Sequence, residues 1–262
     1  MLLVIDVGNT NTVIGIYEGD LLVSDWRIRT ERGTTADEFN VLASGLLAGS
    51  NISPQRIRRT VISCVVPPMV PILHNFCRRY LGHQPHWVDA RSSAGMPILV
   101  TNPAEVGADR IVNSVAAYEK YRRSLIVIDF GTATTFDAIS AEGAYLGGAI
   151  SPGIHIASEA LFMNASKLPR VELFLPPKTV IGRDTAASIQ SGIIYGYAAL
   201  VDGMVLRMQS EMDNAAKVIA TGGLAELMHD VARSIEAVEP HLTLEGLRII
   251  SRSVASQKPV PA

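Results

Sequence analysis

One short pattern occurs twice in this chain. Val4-Ile5-Asp6-Val7-Gly8-Asn9-Thr10-Asn11-Thr12 and Val127-Ile128-Asp129-Phe130-Gly131-Thr132-Ala133-Thr134-Thr135 align with their aspartates 123 positions apart in 262 residues, close to half the chain. Each copy reads as a buried apolar strand ending in Asp, a glycine turn with small hydroxyl or amide side chains, and a second apolar run. Such a hairpin puts one carboxylate and several short donors at a strand tip, where phosphate and metal can be held. Two copies predict an α/β protein of two duplicated lobes facing each other across a nucleotide cleft.

The bulk properties narrow the class. A hydrophobic share of 48% with 18% charged residues describes a well-packed globular chain, and a net charge of −2 gives no basic excess for nucleic acid or an anionic membrane. The two cysteines, Cys64 and Cys77, sit in apolar surroundings without metal-ligand spacing, which excludes a disulfide framework and fits a reducing compartment. No apolar run in the sequence approaches the roughly 18 residues of a membrane span. The chain starts straight into a strand pattern with no basic n-region. The expectation is a cytoplasmic protein with neither nucleic acid nor membrane as partner.

Periodicity predicts strands over 2–7, 13–17 and 21–28, with the Gly8 to Thr12 turn between the first two. Thr35-Ala36-Asp37-Glu38 reads as a capping box opening a helix to about Leu47. A strand over 59–66, a helix over 69–80, a short strand over 86–88 and a helix over 103–122 follow. The pattern then restarts with strands over 125–130, 135–139 and 144–149. A glycine-rich loop over 147–154 leads into a helix from about His155. Asp184 and Thr185 cap a long helix to about Met212; a strand over 217–220, the turn Thr221-Gly222-Gly223 and a helix over 225–235 follow. The polar tail after Ser251 is expected to fray. The expected lobes are 1–118 and 119–262.

Three aspartates stand out. Asp6, beside Gly8 and the donors Asn9, Thr10, Asn11 and Thr12, suits a Mg²⁺–phosphate complex, because Mg²⁺ keeps several waters and needs only one or two carboxylates. An ordinary hairpin could carry the same residues, and it is the second copy that tips the balance. Asp109 follows Gly107 and Ala108, which leave room for a substrate, so its carboxylate could accept a proton from an attacking alcohol. Arg110 offers a fork for carboxylate or phosphate; locally, the plainer reading is that both merely flank a helix start. Asp129 and Thr132 repeat the Asp6 geometry and could hold a cation or touch phosphate oxygens. The Thr221-Gly222-Gly223 amides are equally readable as an anion site or a structural turn. His83 and His86 complete no metal set. Neither a Walker-type loop, a dinucleotide-binding fingerprint nor a nucleophile elbow at Ser151 is present.

In order along the chain, the Asp6 loop, Asn102-Pro103-x-Glu105-Val106-Gly107-Ala108-Asp109-Arg110, the Asp129 loop, Gly147-Gly148-x-Ile150-x-Pro152-Gly153 and Thr221-Gly222-Gly223 resemble the type III pantothenate kinases over nearly the whole length. The resemblance implies the acetate and sugar kinase/Hsp70/actin fold, with two ribonuclease H-like (actin-like ATPase) lobes. It implies transfer of the ATP γ-phosphate to pantothenate, at the start of coenzyme A synthesis. Asp6, Val7, Gly8, Asn9, Thr10, Asn11, Thr12 and Val13 would form the ATP phosphate loop, with Asp6 organising Mg²⁺ directly or through water. Gly107, Ala108, Asp109 and Arg110 would line the pantothenate site, with Asp109 as proton acceptor. Asp129 would hold an activating K⁺ or NH₄⁺, Thr132 would contact ATP, and Thr185 would contact pantothenate, with the partner subunit of a homodimer as one source. The chain departs from the family pattern at Val100, where many members have Tyr, and at Gly182-Arg183-Asp184-Thr185, where many have Gly-Lys-Asn-Thr. Two other readings stay open from the residues: a kinase or phosphatase of the same fold with another substrate, such as a sugar kinase or a polyphosphate hydrolase, and a non-catalytic regulator.

Overall fold

The computed structural model describes residues 1–173, 175–212 and 216–256. The chain separates into two compact units, Met1–Ala116 together with the segment from Leu242, and Ala117–His241.

The first unit opens with β1 (Leu2–Val7), β2 (Asn11–Glu18) and β3 (Leu21–Arg29), continues through α1 (Ala36–Gly49), β4 (Arg59–Cys64), α2 (Met69–Phe76) and β5 (His86–Trp87), and takes in most of α3 (Ala108–Tyr121). Its sheet order is β3-β2-β1-β4-β5, antiparallel between β1 and β2 and parallel between β1 and β4. That order explains the sequence texture. Strand β1 is central and covered on both faces, so it reads as a continuous apolar run, whereas β3 lies at an edge and alternates exposed with half-buried residues. Leu3, Ile5 and Val7 point to one face, into a core with Ile62, Phe39, Leu73 and Phe76. Asp6 therefore turns to the other face, where its register neighbours are Val13 and Ser63. The capping box forms as expected: Thr35 Oγ1 accepts from the Glu38 N–H at 3.2 Å, and Glu38 Oε2 accepts from the Thr35 N–H at 2.8 Å.

The second unit repeats the plan with β6 (Leu125–Phe130), β7 (Ala133–Ile139), β8 (Tyr145–Pro152), α4 (Ile154–Asn164), α5 (Thr185–Glu211), β9 (Lys217–Gly222), α6 (Ala225–His229) and β10 (Ala237–Val238). Its order, β8-β7-β6-β9-β10, is that of the first sheet element for element. Ile126, Ile128, Phe130 and Phe136 pack with Ile194, Val201 and Val205 of α5. At 27 residues and a mean hydropathy of 1.3 over its most apolar stretch, α5 is long and apolar enough to cross a membrane, which corrects the expectation that no stretch approaches that length. In the structure its buried stripe serves the core of this unit.

The last helix, α7 (Leu242–Ser256), returns to the first unit and packs on β1, β2 and β4. The boundary expected at 118/119 therefore needs correction: the C-terminal helix belongs with the first lobe. The cause is local fit. Gly15 leaves space that a Cβ would contest with Val4 at 3.0 Å and Leu244 at 3.1 Å, and a Cβ at Gly246 would overlap the Val112 carbonyl. Asp20 pairs with both Arg248 and Arg252, and Arg59 Nη1 donates to the Ser251 carbonyl at 2.8 Å. Residues 251–256 continue this helix; the rest of the tail expected to fray lies outside the described residues.

Other boundaries moved for identifiable reasons. The residues read as a loop over 147–152 continue β8, because they pair along β7 from Ile139↔Tyr145 to Ala133↔Pro152. The helix expected from Pro103 is instead a 3₁₀ turn over Pro103–Glu105, capped by Asn102, then an extended Val106 (ψ 125°), then α3 from Ala108. After α2, a π-turn over Cys77–Leu81 ends at Gly82 with φ 73°. Strand β9 extends through Thr221 and Gly222, and α6 stops at His229.

Candidate active site

In the first unit the Asp6 copy forms an open turn. Register closes at Val7↔Thr12, so residues 8–11 make the loop, and the Gly8 N–H donates to the Asn11 carbonyl at 3.0 Å. Asn9 and Thr10 are exposed, while Thr12 is buried. The loop is fastened from the end of β3. The Thr30 N–H donates to the Thr10 carbonyl at 3.0 Å, Thr30 Oγ1 donates to the Gly8 carbonyl at 2.7 Å, and the Thr12 and Thr30 hydroxyls lie 2.9 Å apart. A held turn with exposed short side chains and one carboxylate at its root has the donor set that a Mg²⁺–phosphate group needs. Among the described residues no three His, Cys, Asp or Glu side chains cluster, so such a cation would rely on few protein ligands and on phosphate oxygens. Beside the loop, Cys64 is a register neighbour of Val7, but burial pushes its thiol up and it donates to the Val66 carbonyl at 3.2 Å, which makes it a poor nucleophile.

The first unit also contains Gly107 to Arg110. Asn102 prepares this segment, accepting from the Ala104 N–H at 3.3 Å and donating to Glu105 Oε1 at 2.7 Å. Helix α3 starts at Ala108, and Asp109 sits in its first turn, with its Oδ1 accepting from the Arg110 N–H at 2.8 Å. A Cβ at Gly107 would lie 2.5 Å from Asp109 Oδ1, so glycine there leaves the carboxylate its room. Burial raises the Asp109 carboxyl above the ordinary aspartate value of 3.8, against the opposing pull of the Arg110 N–H and guanidinium. A carboxyl shifted in that direction is a better proton acceptor than a solvated one.

In the second unit, Asp129 stands one residue before the end of β6, between Thr135 of β7 and Thr221 of β9. The Thr221 hydroxyl donates to the Glu239 carbonyl at 2.8 Å. Gly222 has φ 94°, and a Cβ on it would lie 2.5 Å from Asp129 Oδ1. The Asp129 carboxylate thus occupies a cradle that any side chain at 222 would fill. The turn after it is a residue shorter than the first copy, closing at Phe130↔Thr134, with the Gly131 N–H donating to the Ala133 carbonyl at 3.1 Å. Gly153, at the head of α4, backs this turn: a Cβ there would overlap the Thr132 carbonyl. Thr132 is exposed at the turn, and Thr185 is exposed in the first turn of α5, behind the N-cap Asp184 that accepts from the Ala187 N–H at 2.8 Å.

Sequence reading named these candidate residues but not the parts of the fold that surround them. Thr30, which fastens the Asp6 loop, carried no signal: it is a lone threonine just past an edge strand. Gly153 and Gly222 stood in noticed motifs, yet their reason, close packing against the Asp129 turn, is tertiary.

Comparisons with known proteins identify the family. A family model described as type III pantothenate kinase matches residues 2–207. A type III pantothenate kinase of Desulfatibacillum aliphaticivorans is 68% identical over 98% of this chain and 100% of its own, and one of Desulforapulum autotrophicum is 63% identical over 96% of each. Among solved structures, a conserved Baf family protein of Campylobacter jejuni superposes with a TM-score of 0.61 at 18% identity, covering 97% of this chain and 100% of that one. Component A of the Acidaminococcus fermentans (R)-2-hydroxyglutaryl-CoA dehydratase gives 0.57 at 14% identity, over 97% and 98%. The structural likenesses carry the fold alone. The sequence matches carry more: this chain belongs to the type III pantothenate kinase family.

Proposed function

We propose that this protein transfers the γ-phosphate of ATP to the primary hydroxyl of pantothenate, giving 4'-phosphopantothenate at the first step of coenzyme A synthesis. Family membership supports the reaction, and the raised, room-given carboxyl of Asp109 is the observation that supports its chemistry. Phosphoryl transfer through a loose transition state asks the protein mainly to position reactants and neutralise charge. In this reading the Asp6 to Val13 turn holds the ATP phosphates through backbone N–H groups and short side chains, and Asp6 would hold Mg²⁺ directly or through water. Bound Mg²⁺ supplies neutralisation of phosphate charge. Gly107, Ala108 and Arg110 line the pantothenate pocket with Asp109, which orients the hydroxyl and takes its proton as the bond to phosphorus forms. Thr132 contacts the nucleotide and Thr185 pantothenate. Asp129, whose carboxylate takes the room that Gly222 leaves, would hold the monovalent cation, K⁺ or NH₄⁺.

The working form in this reading is a cytoplasmic homodimer. Its support is a set of large apolar side chains exposed on the second unit, among them Met163, Leu175, Ile181 and Leu206. Light scattering at twice the 28.1 kDa chain mass would bear this out, and a monomer at working concentrations would refute it. The reaction itself is tested by incubating the protein with Mg-ATP, KCl and pantothenate and following ADP. We expect pantothenate-dependent ADP that falls by about 10²–10⁴-fold in Asp109→Asn, the usual worth of a general base. Undiminished turnover in the variant would remove Asp109 from this role, and no ADP from a wild-type protein that still binds ATP would remove pantothenate as substrate.

A further inference from the structure

The turn after β3 carries an arginine to which the reading above gives no part. Arg32 Nη2 donates to Asn9 Oδ1 at 3.0 Å, which places a guanidinium at the tip of the Asp6 loop. Its setting differs from that of its neighbours. Arg29 pairs with Glu31 at 3.8 Å and Arg56 with Glu18 at 2.7 Å, but among the described residues no carboxylate pairs with Arg32. The bond to Asn9 engages a neutral amide and leaves the charge uncompensated, with most of the five guanidinium donors unused. The backbone bearing Arg32 is also fixed. Thr30 is tied to Gly8, Thr10 and Thr12, and the Thr34 N–H donates to the Glu31 carbonyl at 3.2 Å. Next to it, Gly33 has nothing within 4 Å of where a Cβ would stand, so the approach on that side is open.

We infer that Arg32 is a further phosphate-binding residue, whose guanidinium neutralises negative charge on the outer phosphates of a nucleotide seated on the Asp6 loop. The inference rests on reading that loop as the phosphate loop. A fork geometry with free donors suits two phosphate oxygens at once, and the bond to Asn9 pre-orients it, so little side-chain freedom is lost on binding. An arginine that served only to pin Asn9 would act through that side chain alone. The two roles differ in what they predict for nucleotides with fewer phosphates.

The experiment is titration calorimetry of ATP, ADP and AMP, with Mg²⁺ present, on wild type, Arg32→Gln, Arg32→Lys, Asn9→Ala and Asp6→Asn. Thermal melts accompany it to establish that each variant is folded. Arg32→Gln is expected to weaken ATP by about tenfold or more, in keeping with loss of a charge-assisted bond. It should leave AMP unchanged, and Arg32→Lys should recover part of the loss. In turnover, the loss should appear in KM for ATP before KM for pantothenate. If Arg32→Gln binds ATP like wild type while Asp6→Asn does not, the inference fails and the loop reading stands. If Arg32→Gln merely matches Asn9→Ala, with AMP weakened as much as ATP, the pinning role replaces it. If Asp6→Asn and Asn9→Ala also bind ATP as wild type does, the loop reading falls and takes the inference with it.

Discussion

The two copies of the Asp-x-Gly hairpin share a strand, a sheet order and a position, and differ in what surrounds the carboxylate. In the first unit the turn has four residues, 8–11, presents Asn9 and Thr10 to solvent, and is clamped from the side by Thr30. In the second the turn is a residue shorter, its backbone lies against Gly153, and the carboxylate of Asp129 faces Gly222 at φ 94°. Duplication supplied the same carboxylate twice. Neighbouring glycines and one residue of loop length make the first turn open and the second closed, and in the proposed reading the first would take a polyanion and the second a small cation.

Glycine substitutions should expose that difference most sharply. Gly222→Ala forces a left-handed backbone on a residue with a Cβ, worth about 1–2 kcal/mol, and adds an overlap with Asp129 Oδ1 and the Phe130 backbone. We expect a loss of at least about 2 kcal/mol in chemical denaturation. Gly8→Ala brings its Cβ only to 3.1 Å from the Asn11 carbonyl, so stability should change by under about 1 kcal/mol while ATP affinity falls through lost backbone approach. Equal destabilisation by the two would erase the contrast between an open and a closed copy.

Asp109 gives a second, smaller effect whose sign follows from its raised carboxyl. Below the ordinary value of 3.8 both folded and unfolded chains hold the proton and no penalty exists. As pH rises through that value the unfolded chain releases its proton first, so stability falls until the folded-state value is passed, and the full penalty stands above it. Asp109→Asn should therefore melt higher than wild type at neutral pH, with the gain disappearing in acid. For the same reason the acid limb of kcat/KM should lie above the range of a solvated aspartate. A variant that melts lower at neutral pH, or an acid limb at the solvated value, would contradict the burial argument.

The duplicated core was legible because both central strands are apolar runs bounded by glycine turns, and α1 because Thr35 and Glu38 are a local capping signal. What sequence could not show depends on partners far away in the chain. Gly147 and Gly148 look like loop residues until β7 pairs with them. The course of α7 into the first unit is decided by where Gly246, Leu244 and Arg248 find contacts. For the site, the carboxylates announced themselves at strand ends and after small residues, whereas Thr30, Arg32 and the packing reason for Gly222 needed the fold. The family resemblance suggested roles, and the geometry supplied the reasons for three of the glycines in its motifs, Gly107, Gly153 and Gly222.

The most direct test of divided roles is ADP formation measured against Mg²⁺ and against K⁺, with Na⁺ as the control, for wild type, Asp6→Asn and Asp129→Asn. The account predicts that wild type is much slower in Na⁺ than in K⁺, that Asp129→Asn loses this K⁺ response while keeping its Mg²⁺ dependence, and that Asp6→Asn needs far more Mg²⁺-ATP while its residual rate still responds to K⁺. Equal wild-type rates in Na⁺ and K⁺, or the same ion response in both variants, would contradict it.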